Sequence, residues 1–119
     1  MAAKPRPTNG ELEILRILWR RGPSELTEIR EELRQQRDVA TTTIATMLRV
    51  MQEKGLIDRR GQRRSYRWFA RVNERATKKR LLSRLLDAAF GGSKTGLFAH
   101  LVESGELTRE DWKQIDALL

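Results

Sequence analysis

The chain has 119 residues, with 24 lysines and arginines against 16 acidic residues and a net charge of +8 at pH 7. It contains no cysteine, which excludes disulfide bonds, thiolate metal sites and cysteine nucleophiles. No apolar run approaches the roughly 18 residues that cross a bilayer, and residues 1–7 lack the apolar region of a signal peptide. We therefore expect one small domain, or a small domain with an appended association element, in the cytoplasm.

The positive charge is concentrated in the middle of the chain. Residues 38–71 include eight basic and three acidic residues, whereas residues 71–119 are nearly balanced, with nine basic and seven acidic. A basic field of this kind is typical of proteins that bind a polyanion such as nucleic acid. A basic balance is also common on ordinary solvated surfaces, so the charge alone does not identify a partner.

Two helices are predicted before the basic region. Thr8 and Glu11 have the spacing of a capping box, and Gly22-Pro23 ends the helix that they open. A second helix starts near Glu25. Its inward-facing apolar residues are Leu26, Ile29 and Leu33.

A threonine-rich helix follows between residues 39 and 55, with Gly55 as the residue that closes it. Its apolar face has helical spacing and consists of Ile44, Met47, Leu48 and Met51. Its other face carries Thr42, Thr43, Thr46 and Arg49. β-Branched threonine lowers helix propensity, whereas short hydroxyl side chains at a helix N-terminus can bond phosphates or base edges. The pattern indicates a DNA-reading helix; the alternative is an ordinary amphipathic helix with a threonine-rich start.

The next segment is predicted to form a β-hairpin. Residues 56–60 and 65–69 have strand character, and residues 61–64 form the turn between them. A hairpin directly after a recognition-type helix is a wing. The arginines around it are Arg59, Arg60, Arg63 and Arg64, with Arg67 further along the return strand. Contact with phosphates explains this crowding better than protection of a strand edge. Tyr66, Trp68 and Phe69 are predicted to pack the hairpin onto the helices.

Three further helices are predicted beyond residue 73: residues 74–90, residues 94–102, and one opened by Thr108 with Asp111 three residues on. Their apolar surface is too large for three short helices to bury among themselves. We expect a second copy of the chain to cover it in a two-fold dimer, which suits paired DNA half-sites. The alternative is a monomer in which this segment folds back onto the wing domain. The predicted dimer interface consists of Leu81, Leu82, Leu85, Leu86, Phe90, Leu97, Leu101, Trp112, Ile115 and Leu118.

The chain resembles the penicillinase-repressor family (BlaI/MecI/CopY) of winged-helix transcriptional repressors. The resemblance rests on residues 42–48 (TTIATML), residues 53–57 (EKGLI) and residues 63–66 (RRSY). Trp19 near the end of the first helix and residues 107–111 (LTRED) fit as well. The likeness runs in one register from about residue 7 to residue 119.

The resemblance implies a homodimer that represses transcription from an inverted-repeat operator, typically built on TACA/TGTA half-sites. It also implies relief of repression, through a membrane sensor metalloprotease in the β-lactam-responsive branch or through copper in the other. Copper-responsive members carry a cysteine cluster, which this chain lacks. In the β-lactam branch the protease cuts at an Asn-Phe pair, and His100-Leu101 stands at the matching position here.

We therefore predict a mainly α fold with a small β-hairpin wing, and a homodimeric, sequence-specific transcriptional repressor. A winged helix-turn-helix DNA-binding domain is expected at residues 1–72 and a helical dimerisation domain at residues 73–119. The partner is double-stranded operator DNA, and no cofactor or metal is expected. The predicted DNA contacts are Thr41, Thr42, Thr43, Thr46, Arg49, Lys54, Arg60, Arg63 and Arg64.

Three other functions are weaker. An enzyme is disfavoured because His100, the only histidine, lies among apolar residues and no catalytic set or phosphate loop is present. RNA binding is disfavoured because aromatic residues are not interleaved with the basic ones on an exposed face. The stronger rival is a winged-helix protein-interaction module whose basic face binds an acidic partner, although such a module does not need hydroxyls at the start of the threonine-rich helix.

Overall fold

The computed structural model describes residues 6–119 and divides into two compact units, with the division after Thr77. The prediction about a signal peptide at residues 1–7 falls mainly on residues outside this description. No helix among residues 6–119 is long and apolar enough to cross a membrane. The elements of the described chain are α1 (Asn9–Arg21), α2 (Leu26–Arg34), α3 (Thr41–Glu53), β1 (Ile57–Arg60), β2 (Arg67–Ala70), α4 (Glu74–Phe90), α5 (Lys94–Glu103) and α6 (Arg109–Leu118).

The first two helices begin and end as local sequence rules predict. The amide of Glu11 donates to Oγ1 of Thr8 at 3.2 Å, and the amide of Thr8 donates to Oε1 of Glu11 at 2.9 Å, which completes the capping box. α1 ends at Gly22, whose φ of 83° is a conformation that glycine adopts without strain. α2 opens with a similar reciprocal cap between Glu25 and Glu28.

The core of the first unit lies between α1, α2, α3 and the hairpin. The predicted apolar residues of α2 and α3 lie in this core or pack against it, and α1 adds Ile14, which the sequence did not identify. Each fully buried aliphatic side chain stabilises the fold by about 1.5–3 kcal/mol relative to exposure. Trp19 lies partly buried against this core, and its indole Nε1 donates to the carbonyl of Val72 at 3.0 Å. The main core residues are Ile14, Leu15, Ile29, Ile44, Leu48, Met51, Leu56, Ile57 and Trp68.

The hairpin pairs β1 and β2 antiparallel, with Ile57 opposite Ala70 and Arg60 opposite Arg67. The return strand was predicted to start at Ser65, but it starts at Arg67, and the connection is longer than the four residues expected. The reason is the turn itself, because the amide of Ser65 donates to the carbonyl of Gln62 at 2.9 Å and cannot join the strand ladder. Of the three aromatic residues predicted to pack onto the helices, Trp68 is buried in the core. Tyr66 and Phe69 are half-buried outside it, with their rings against Arg59 and Arg60.

The division between the units falls inside α4. Thr77 is buried, and its hydroxyl donates to the carbonyl of Asn73 at 2.7 Å, so the first turn of the helix belongs to the first unit. The assignment of DNA binding and dimerisation to domains that meet at residue 72 stays a prediction.

The second unit, residues 78–119, consists of helices with little interior. The predicted start of α6 is confirmed, because Thr108 and Asp111 form a reciprocal capping box. α5 opens with Ser93, whose hydroxyl accepts from the amide of Gly96 at 2.9 Å. Among the described residues from 78 onward, no side chain is fully buried. This unit therefore presents most of its apolar surface to its surroundings.

Candidate nucleic-acid interface

The polar side of α3 projects into solvent. Ile44, Leu48 and Met51 are fully buried on the opposite side, and their burial determines which residues the helix exposes. The exposed residues are Thr41, Thr42, Thr43, Thr46 and Arg49. The structure thus places five of the nine predicted DNA contacts on the exposed side of one helix.

The N-terminal end of α3 is open. Its N-cap, Ala40, makes no side-chain hydrogen bond, and the first turn contains no acidic residue. The partial positive charge at this helix end is therefore not neutralised locally, which favours an anion there. Oγ1 of Thr46 donates to the carbonyl of Thr42 at 3.0 Å. Thr46 consequently presents its methyl group and its oxygen lone pairs outward, groups that can contact a thymine methyl or a base amino group.

Lys54 lies at the other end of α3, and its charge is already paired. Its Nζ lies 2.8 Å from Oε1 of Glu11, whose side chain is 5% exposed, against 34% for Lys54. Desolvation is the largest influence on Glu11 and raises its pKa. Hydrogen bonds from Lys54 and from the Thr8 amide, together with the Lys54 charge, outweigh it and leave the pKa of Glu11 lowered. The pair joins the start of α1 to the end of α3, so the other eight predicted contacts are better placed to bind an external anion.

Two arginines of β1 lie against aromatic rings. The guanidinium carbon of Arg59 lies 4.0 Å from the ring centroid of Tyr66 and 5.4 Å from that of Trp68. That of Arg60 lies 5.7 Å from the ring centroid of Phe69. Cation–π contacts of this kind stabilise exposed positions by about 0.5–1 kcal/mol and orient the side chains along the hairpin. Both residues remain exposed.

The remaining hairpin arginines differ in their partners. Arg67 lies 3.8 Å from the carboxylates of Glu25 and Glu28, so it connects the wing to the start of α2. Arg63 and Arg64 are exposed in the turn, and neither takes part in the ion pairs formed among residues 6–119. The turn therefore carries two uncompensated positive charges.

Arg64 also has an unusual backbone. Its φ of 79° is the one positive φ of a non-glycine residue among residues 6–119. It is the third residue of the turn closed by Gln62 and Ser65, a position that favours glycine in turns with positive φ. A side chain in this conformation costs about 1–2 kcal/mol, and such strain is found most often at functional sites.

The ten residues predicted for the dimer interface lie on α4, α5 and α6. Four of them are strongly exposed in the single chain, from 42% for Trp112 to 86% for Leu118, with Leu82 and Leu85 between. The other six are half-buried: Leu81, Leu86, Phe90, Leu97, Leu101 and Ile115. Three large exposed apolar residues of the second unit were not in the predicted set: Phe98 and Val102 on α5, and Leu119 after α6. Phe98 and Val102 lie four residues apart on α5, so helical spacing is the signal that could have identified them.

Sequence reasoning missed the partners of the basic residues. Glu11 was identified as a helix cap, but not as the carboxylate that pairs with Lys54, 43 positions away. Glu25 was placed at the start of the second helix, but nothing in the sequence indicated that Arg67 would lie beside its carboxylate and that of Glu28. Capping-box spacing could have identified all three acids as fixed in position. No group of three or more histidine, aspartate and glutamate side chains that could hold a metal occurs among residues 6–119.

Comparison with known proteins agrees with this geometry. A family model described as penicillinase repressor matches residues 7–119. The chain belongs to the penicillinase repressor family. Among similar proteins of the family, the methicillin resistance regulatory protein MecI of Mammaliicoccus sciuri is 24% identical over 112 residues, covering 94% of this chain and 91% of that protein. The penicillinase repressor of Staphylococcus aureus is 21% identical over 109 residues, covering 92% and 86%.

Two solved structures of the repressor BlaI share the fold. The DNA-binding domain of the repressor BlaI superposes with a TM-score of 0.54 and 24% identity, covering 62% of this chain and 90% of that one. Monomeric BlaI of Bacillus licheniformis in complex with the blaP half-operator gives a TM-score of 0.52, with the same identity and coverage. The mainly α, winged-helix fold is thereby confirmed. Membership of a family of DNA-binding transcriptional repressors also confirms the prediction of a repressor and not an enzyme.

Proposed function

We propose that the protein is a cytoplasmic homodimer that represses transcription by binding an inverted-repeat operator in double-stranded DNA. The observation that carries the proposal is the exposed, threonine-faced side of α3, with its open N-terminal end and uncompensated arginines on the hairpin that follows. The BlaI structure with a half-operator supports it, because the same fold binds DNA there.

The start of α3 enters the major groove in this proposal. Thr42, Thr43 and Thr46 lie against base edges, and Thr41 and Arg49 flank them at the phosphates. Short hydroxyl side chains suit this role because they allow the helix to approach the bases closely. Sequence preference therefore resides mainly in the first two turns of the helix.

In this proposal the wing contributes binding affinity that does not depend on the base sequence of the DNA. Arg63 and Arg64 bind phosphates next to the groove that α3 occupies, and Arg60 extends the contact along β1. Lys54, predicted from sequence as a further contact, acts indirectly instead, since its ammonium holds the end of α3 against Glu11.

Dimer formation follows from the second unit. Helices without a buried side chain gain little stability from one another, and large exposed apolar residues on all three of them favour a partner surface. A second copy is the simplest partner, because it also pairs two half-sites of an inverted repeat. From the family resemblance we retain a membrane sensor metalloprotease as the inducing partner, with His100-Leu101 on α5 as the matching segment.

A gel-shift experiment with the promoter DNA upstream of the protein's own gene tests the proposal. We expect saturable binding that survives an excess of random duplex, because base contacts add to the phosphate contacts. Binding that collapses under random competitor is charge-driven only, and this outcome would favour the module that binds an acidic protein.

A further inference from the structure

A groove lies between α2, α3 and the wing, and its lining combines apolar and basic residues. Its volume is about 440 Å³, within the size range of small-molecule sites. We name it the α3–wing groove. It is lined principally by Leu26, Ala45, Arg49, Arg64, Tyr66 and Trp68.

Three neighbouring lining residues are apolar, and we call them the floor of the groove: Leu26, Ala45 and Trp68. Trp68 is buried in the wall of the core, and Leu26 and Ala45 are half-buried beside it. The ring of Tyr66 stands at the side, with the guanidinium carbon of Arg59 4.0 Å from its centroid. A DNA backbone presents charged phosphates to a protein, so an apolar floor adds little to its binding.

The rim of the groove is basic. Arg49 approaches from α3 and Arg64 from the turn, and neither has an acidic partner among the described ion pairs. The φ of Arg64 is positive at a position where glycine would fit without strain, so an arginine there raises the conformational energy of the backbone. Glu25 also reaches the rim, and Arg67 at 3.8 Å balances its charge.

We propose that the α3–wing groove binds a small planar organic anion, a ring system that bears one carboxylate. The ring lies on the apolar floor and the aromatic wall, and the carboxylate lies between the two rim guanidiniums, which suit it as bidentate donors. Because the anion occupies the rim arginines, it competes with DNA and releases the repressor. This regulatory consequence rests on the proposed function, whereas the binding site itself does not.

Titration of the full-length, isotopically labelled protein tests the site, with indole-3-carboxylate as the probe. We expect saturable NMR shifts at Leu26, Ala45 and the Trp68 indole. Indole-3-carboxamide should bind about tenfold more weakly, because it lacks the charge-assisted hydrogen bonds. The proposal is overturned if the carboxylate gives no saturable shift up to about 10 mM, because a Kd above that concentration is too weak for a specific site. It is also overturned if inorganic phosphate produces the same shifts at the floor.

Paired variants distinguish the groove from general surface charge. Arg64→Ala should weaken probe binding about tenfold, whereas Arg63→Ala, its exposed neighbour outside the groove, should leave it unchanged. Ala45→Leu fills the floor while keeping a good helix former, and it should abolish binding. Thermal melts establish that each variant is folded. Equal effects of the two arginine variants, or full binding by a folded Ala45→Leu protein, would contradict the proposed site.

DNA binding is measured first without the probe, so that the two proposals fail separately. If operator binding is present, the probe should raise its apparent Kd about a hundredfold at a concentration ten times the probe's own Kd, because both grooves of the dimer must be empty. Unchanged DNA affinity at a saturated groove refutes the regulation. Absence of specific DNA binding without the probe refutes the proposed function instead, and leaves the titration to decide the site.

Discussion

Replacing Lys54 with methionine should destabilise the first unit without removing a DNA contact. The substitution keeps most of the apolar stem but leaves the Glu11 carboxylate, only 5% exposed, without its cation. Removing one partner of a buried ion pair costs about 3–5 kcal/mol, and exposed pairs contribute about 0–1 kcal/mol. Because Lys54 is about one-third exposed, the expected loss lies between these limits, at about 2 kcal/mol. For a unit of this size, that corresponds to a fall in Tm of about 10 °C.

The loss should depend on pH in a defined direction. The pKa of Glu11 is lowered in the folded state, so the ionised carboxylate contributes stability above its ordinary value of 4.5, and this contribution disappears as the pH falls through the folded pKa. The difference in unfolding free energy between wild type and Lys54→Met should therefore be full at pH 7 and shrink below about pH 4.5. Denaturant unfolding at several pH values measures it.

Two matched variants and one binding measurement complete the test. Arg16→Met removes an exposed charge from α1 and should change stability by less than about 0.5 kcal/mol. Glu11→Gln combined with Lys54→Met should recover part of the loss, because no buried charge remains unpaired. The salt dependence of DNA binding should be unchanged in Lys54→Met. A Tm within about 2 °C of wild type, together with a slope reduced by about 1.8 for the two lysines of the dimer, would mean that Lys54 contacts phosphate and the ion pair is unimportant.

The remaining predictions concern the wing, the reading helix and the second unit. Arg63→Ala with Arg64→Ala should weaken binding to all duplexes and flatten the slope of log K against log salt by about 3.6, because the dimer loses four phosphate contacts; an unchanged slope would exclude phosphate contacts by the turn. Arg64→Gly should be about 1 kcal/mol more stable than Arg64→Ala in thermal melts, because glycine relieves the positive φ, and equal melts would argue against strain there. Thr46→Val should change which base pairs are preferred in a selection from random duplexes while leaving the salt slope intact, and a uniform loss across sequences would count against base reading. Leu85→Glu should shift the sedimentation coefficient to that of a monomer, whereas Ser83→Glu, also on α4, should not; a dimeric Leu85→Glu protein would place the interface elsewhere.

Local features of the fold could be predicted because they depend on residues close in sequence. The capping boxes at Thr8 and Thr108 involve partners three residues away, and the apolar spacing of α3 is set by one helical turn. The start of the return strand was predicted wrongly because the Ser65 amide bonds the Gln62 carbonyl within the turn and not the opposite strand. Residue types alone do not decide between these two partners.

Side-chain partners at long range could not be predicted in the same way. Lys54 and Arg67 look like any other exposed cation in the sequence, yet each lies beside a carboxylate on a distant helix. The arginines without partners, Arg63 and Arg64, could be separated from them only when the packing of α1 and α2 was known. The sequence therefore indicated which segments are exposed, but not which of their charged side chains lack a partner within the chain.

The absence of buried side chains in residues 78–119 has a consequence for how operator occupancy depends on the concentration of the repressor. In the proposed dimer a second copy stabilises these helices, so folding of this segment and pairing of two chains form one concentration-dependent equilibrium. Operator occupancy then varies with roughly the square of protein level when the chains are scarce, by mass action for two chains. A modest fall in synthesis, or the loss of a minority of chains, should consequently switch a promoter on more sharply than it would for a repressor that binds as one chain.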